Sequence, residues 1–178
     1  PRMVTVHIDK ATIDADFEKM AAAQNLDDEQ KDFIASKIST LAAIVSNPER
    51  IKAVCTDIIE HFYSVVDPQG MKAQVVVYNR AMCAAYEEEL TRQLQTRAGA
   101  GAPDEAAVVM TVGGKTDGSA DYSKYELDEA SEAALLKRFR NFNDQLKFLI
   151  VTSKLGTGFN ADNEGVMYMD KPLRLHTL

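Results

Sequence analysis

Cysteine is almost missing from this chain: Cys55 and Cys83 are the only two in 178 residues, and neither belongs to a Cys-x-x-Cys pair. That excludes a disulfide framework and leaves reduced, structural thiols as the expectation. Histidine is equally sparse. His7, His61 and His176 lie far apart, none with a partner four residues on, so no zinc or iron site and no metal-binding residues are expected. His61, beside Phe62 and Tyr63 near a helix end, is expected to be partly buried and structural. No apolar run approaches the ~20 residues that cross a bilayer. No charged start followed by a short apolar core opens the chain, so a cytoplasmic location without a membrane partner is expected. A Gly-x-Ser-x-Gly elbow and a Cys/His pairing are also lacking, so no catalytic nucleophile is assigned. There is no internal repeat and no low-complexity tract; Arg97 to Pro103 is a small-residue loop.

What is present is the composition of a folded, water-soluble body, 46% apolar and 26% charged. Its length fits one domain, or one domain with a substantial extension. The net charge of -7 argues against a large nucleic-acid surface. The charge is unevenly spread, however. From Lys137 onward seven basic residues face four acidic ones, an excess of three that leaves -10 for everything before it. A mildly basic final third permits a phosphate-facing edge. The chain begins without Met and stops at Leu175-His176-Thr177-Leu178, which leads to the expectation of a piece of a longer protein.

The first part, to about Asp67, reads as helical. Asn47-Pro48-Glu49 offers an N-cap, a proline at the first helical position and an acid in the first turn. Ile51, Val54, Cys55, Ile58, Ile59 and Phe62 then recur at the spacing of one helix face. Upstream, Phe33 to Val45 repeats that pattern more loosely after Asp27-Asp28-Glu29, and Met3 to Ile8 reads as a short strand. At Asp67-Pro68-Gln69-Gly70 a turn signal intervenes and the period changes. Ala73 to Tyr78 is expected to be a strand buried on both faces, Met82 to Leu94 a helix and Ala107 to Val112 a second strand closed by Gly113-Gly114. Ser131 to Phe142 follows as a helix with Leu135, Leu136, Phe139 and Phe142 on one side, then strands at Phe148 to Val151 and Val166 to Met169. Alternation of this kind predicts an α/β fold with a mainly parallel sheet flanked by helices, preceded by an N-terminal helical extension. Ligands of such sheets bind beyond the carboxyl ends of the strands, here Asn79-Arg80, Gly113-Gly114, Thr152 to Asn160 and Asp170-Lys171.

Gly114-Lys115-Thr116 is not read as a phosphate-cradling P-loop, because the required earlier glycine position holds Val109, inside an expected strand. Glu87-Glu88-Glu89 reads as a solvated helix face. The informative segment runs from Leu149 to Asn160, where an apolar strand ends in Thr152-Ser153 and Gly156 and Gly158 follow within a tight turn. Such a turn exposes backbone N–H groups and hydroxyls that can hold phosphate oxygens.

Those residues resemble motif V of superfamily-2 helicases: Thr152, Gly158 and Asn160 match its threonine, glycine and following polar position, with Asn where many members have Asp. The form with Lys154 and Gly156-Thr157-Gly158-Phe159, followed by Met167-Tyr168-Met169-Asp170-Lys171-Pro172-Leu173, is similar to the motor subunit of type I restriction-modification enzymes. Lys72 to Arg80 resembles that family's motif IV strand and turn, and Phe139-Arg140-Asn141-Phe142 agrees with it. The resemblance is clear from Lys72 to Leu178 and weaker before it.

The resemblance implies that residues 71–178 are the second RecA-like motor domain, stopping short of the arginine-bearing motif VI, with residues 1–70 a helical linker. It implies a DNA-backbone grip by Asn79, Arg80, Thr152, Ser153 and Lys154, and one wall of an ATP cleft at Gly156, Thr157, Gly158 and Asn160. ATP and Mg²⁺ would be held by the parent subunit and not stably by this chain, which is expected to be inactive alone. Implied partners are double-stranded DNA, the first motor and nuclease domains of the same subunit, and the methyltransferase and specificity subunits. Two other readings stay open: the C-terminal motor domain of another superfamily-2 helicase, and a non-catalytic α/β binding module.

Overall fold

The computed structural model describes residues 44–99, 104–112, 122–152, 159 and 161–171. The expected strand at Met3 to Ile8 and the expected helix over Phe33 to Val45, except its last two residues, lie outside them. The chain divides into two units, Pro1–Ile51 and Lys52–Leu178. In the described end of the first, the Asn47 side chain accepts hydrogen bonds from the Glu49 and Arg50 N–H groups at 3.0 and 3.1 Å, and helix α1 (Pro48–His61) starts there. Asparagine thus satisfies amides that the helix cannot bond internally, and Pro48 has no amide to satisfy.

The second unit holds the sheet. Beyond Lys52, α1 buries Cys55, Ile58 and Ile59, and the wider π turn Phe62–Val66 adds Phe62, whose ring lies 4.4 Å from that of Phe148. A single 3-10 turn, Asp67–Gln69, then ends on Gly70 at φ +70°, a conformation that favours glycine, as the turn signal predicts. Strands β1 (Lys72–Val77), β2 (Ala106–Val109), β3 (Phe148–Val151) and β4 (Glu164–Asp170) form one sheet in the order β2-β3-β1-β4, every pairing parallel. Central β1 is buried along its whole length. Edge strand β4 alternates half-buried and exposed residues. The expectation of an α/β fold with a parallel sheet is met.

Helix α2 (Arg80–Ala98) links β1 to β2, and α3 (Glu129–Arg140) precedes β3. Tyr168 and Asp170, two apart and so on one face of β4, meet His61 of α1 and Tyr86 of α2. Lys72 and Val76 point the other way, where Phe139 of α3 packs with Val109, Leu146, Leu149, Val151 and Ala161. Helices therefore cover both sheet faces, and the core lies in the two layers between. Burying Phe139 completely contributes about 1.5–3 kcal/mol.

The limits of α3 and β2 differ from the sequence expectation for local reasons. The Asp128 carboxylate accepts from the Ser131 N–H at 2.7 Å, so α3 opens at Glu129. It closes at Arg140, where Asn141 turns extended, leaving Phe142 outside the helix and 56% exposed instead of on its apolar side. Strand β2 keeps its ladder only to Val109; Met110 is still buried but unladdered.

Candidate functional site

Register decides where the loops gather. Val76 lies opposite both Val151 of β3 and Met169 of β4, Val77 opposite Asp170, and Val109 opposite Val151. All four strands thus end at one level. Tyr78-Asn79-Arg80, Thr111-Val112, Thr152 and Lys171 emerge side by side at that carboxyl edge. Of the expected binding residues, Asn79, Arg80 and Thr152 are described and share this edge. Ser153, Lys154, Gly156, Thr157, Gly158 and Asn160 lie outside the described residues, as do Gly113 and Gly114.

Asn79 has a structural task of its own. Its backbone is extended, at φ -150° and ψ 178°, and its side chain accepts from the Met82 N–H at 2.9 Å as the N-cap of α2. Arg80, half-buried, is the first residue of that 19-residue helix, and no acid occupies the first turn. A cation there faces the positive end of the helix dipole and costs about 0.3–1 kcal/mol. Helix α3 shows the stabilising arrangement: Glu129 and Glu132 in its first turn, Lys137, Arg138 and Arg140 in its last. The start of α2 therefore carries a cation where α3 carries acids.

Three residues at this edge carry contacts that motif spacing does not announce. The Tyr86 hydroxyl, wholly buried in α2, donates to the Asp170 carboxylate at 2.5 Å. Lys171 Nζ donates to the Thr152 carbonyl at 3.2 Å. The only sequence signal was an Asp-Lys-Pro step closing an apolar strand, which marks a place but no partner.

Elsewhere several titratable residues are held in structural contacts. The Tyr168 hydroxyl sits 2.7 Å from Nδ1 of half-buried His61, and burial, helped by the charge of Asp57, pushes that phenol up to about 12. Burial pushes the Cys83 thiol up to about 12 and Cys55 up as well, which makes both poor nucleophiles. Of the acid run on α2 only Glu88 is a solvated face residue. Glu87 accepts from the Tyr125 hydroxyl at 3.0 Å, and Glu89 pairs with Arg92 at 2.6 Å. Val109, the position a P-loop would give to glycine, is fully buried in β2. Among the described residues no His, Cys, Asp or Glu cluster could hold a metal ion, and no helix is long and apolar enough to cross a membrane.

No family model matches the chain. Individual relatives do. It is 29% identical over 177 residues to a Methanocaldococcus jannaschii protein named as the type I restriction enzyme MjaIXP endonuclease subunit, an alignment covering 99% of this chain and 16% of that relative. A second protein of that organism, named as the MjaVIIP endonuclease subunit, is 32% identical over 170 residues, 86% of this chain and 15% of the relative. The type I restriction enzyme HindI endonuclease subunit of Haemophilus influenzae is 27% identical over 135 residues, 76% of this chain and 13% of the relative. The chain thus spans about 13–16% of the length of these relatives.

Proposed function

From the premise that the chain is related along nearly its whole length to endonuclease subunits of type I restriction enzymes, we propose that it is the second RecA-like motor domain of such a subunit. In this reading residues 71–178 are the domain proper, and residues 1–70 are the linking extension, folded onto that domain's sheet from Lys52 on. The parent subunit, in the cytoplasm, hydrolyses ATP to move duplex DNA and cuts it. Its other partners are the first motor and nuclease domains and the methyltransferase and specificity subunits.

One observation carries the DNA-gripping role: the level strand ends bring Asn79, Arg80 and Thr152 to a single edge, with a cation set against the positive end of α2. Arg80 offers a planar donor fork suited to phosphate oxygens. Contacts of this kind hold the backbone and read no bases. Ser153 and Lys154 extend the grip, and Gly156, Thr157, Gly158 and Asn160 form the wall facing the nucleotide. ATP with Mg²⁺ supplies the driving reaction when bound between the two motor domains. The donors at the described edge, a guanidinium and a hydroxyl residue, suit phosphate oxygens, whereas Asp170 is already engaged by Tyr86. A divalent cation would therefore be held by acids of the other lobe, and this chain alone turns over no ATP.

Fluorescence anisotropy on the 178-residue chain tests the reading. Duplex DNA should bind weakly, with log K falling by about 0.9 per phosphate contact for each unit of log salt. Arg80→Ala should lower that slope by about one contact and weaken all sequences alike. Binding that ignores salt, or that prefers particular bases, would sink it.

A further inference from the structure

The tie between Lys171 and Thr152 spans more of the sheet than a neighbour contact. Thr152 follows β3 and Lys171 follows β4, and β1 lies between those strands. Strands lie about 4.8 Å apart, so the Lys171 side chain must reach across the carboxyl end of β1, where Asn79 opens α2. Its root is fixed, because Asp170 one residue earlier is held by the buried Tyr86 hydroxyl at 2.5 Å. Its tip is fixed by the Thr152 carbonyl at 3.2 Å, the first carbonyl past the β3 ladder. A lysine at a strand end ordinarily extends into water. This one turns inward and donates to a backbone acceptor just past the end of β3.

We propose that Lys171 is a positioning residue, holding the Thr152 backbone level with Arg80 so that the two address one DNA phosphate; this deepens the motor-domain reading and rests on it. The restraint runs from α2 through Tyr86, Asp170 and Lys171 to the end of β3. The ammonium acts through Thr152 and touches no phosphate itself.

Four variants of the whole chain, Lys171→Met, Lys171→Arg, Thr152→Val and Lys171→Met with Thr152→Val, separate this role from its rivals. Lys171→Met should bind duplex DNA about tenfold more weakly, because the Thr152 backbone must then be ordered at the moment of binding. Its salt slope should stay essentially unchanged, and its melting midpoint should fall modestly with the lost hydrogen bond. Lys171→Arg should restore most of the affinity, and the double variant should bind no worse than Thr152→Val, because coupled residues are not additive. A salt slope reduced by about 0.9 would mean direct phosphate contact and overturn the proposal. Additive losses, or a lower melting midpoint at unchanged affinity, would overturn it equally. If the unmodified chain shows no salt-dependent binding, the motor-domain reading itself falls. The tether is then judged by the Thr152 carbonyl ¹³C resonance, which must move in Lys171→Met; an unmoved resonance refutes it.

Discussion

Gln74 is wholly buried in the middle of β1, and neither its amide nitrogen nor its carbonyl oxygen has a hydrogen-bond partner among the described residues. Leaving such a group unpaired costs about 1–3 kcal/mol. Met, similar in volume and without polar atoms, should therefore stabilise: Gln74→Met is expected to raise the free energy of unfolding by about 1–2 kcal/mol in urea titration, and a loss of stability would show that the amide has a partner after all. Lys72, on the same strand face and 3% exposed, illustrates the opposite treatment. Its ammonium donates to the carbonyls of Arg138 and Asp144 at 3.4 and 3.1 Å, while burial holds its pKa below the ordinary value. Neither side chain could be placed from the sequence, since an apolar strand with one polar residue reads the same whether that residue is paired or orphaned.

Among the elements, α2 joins a stability role and a binding role at adjacent positions, and the two can be separated. Asp caps helices as well as Asn does but brings a negative charge. Asn79→Asp should keep or slightly raise the melting temperature while weakening DNA binding several-fold in the anisotropy assay; Asn79→Ala should instead lose about 1 kcal/mol of stability with the cap. Equal affinity in Asn79→Asp would place the anion elsewhere. The elements themselves were legible because periodicity is a local signal: the Val75-Val76-Val77 run, the helix faces and the Asp67 to Gly70 turn all sit where their residues predict. Phe142 was misread because apolar spacing continued two residues beyond the helix, which Asn141 had already ended. That Asn79, Arg80 and Thr152 share the carboxyl edge was legible from the expected strand limits. Tyr86 and Asp170 were not, since the bond between them joins a helix to a strand 84 positions away.

For the molecule as a whole, two carboxylates pull its pH dependence in opposite directions. The Arg138 guanidinium and the Leu146 N–H hold Asp144 below its ordinary 3.8, so its contribution is present above that value and fades as pH falls through the lowered one. Burial raises Glu164 above 4.5, so its neutral form favours folding, and that contribution is lost as pH rises through the raised value. Glu164→Gln should therefore gain melting temperature at pH 7 and little at pH 4, while Asp144→Asn should lose it at pH 7 and little below pH 3; thermal scans at those three values check both signs. The parallel register has a last consequence, for the order in which the protein comes into being. Central β1 is flanked only by β3 and β4, so Ala73 waits for Phe148 and Val77 for Asp170. During synthesis this central strand would leave the ribosome long before either neighbour exists, its ladder groups bare, and a holding chaperone would have its longest window there.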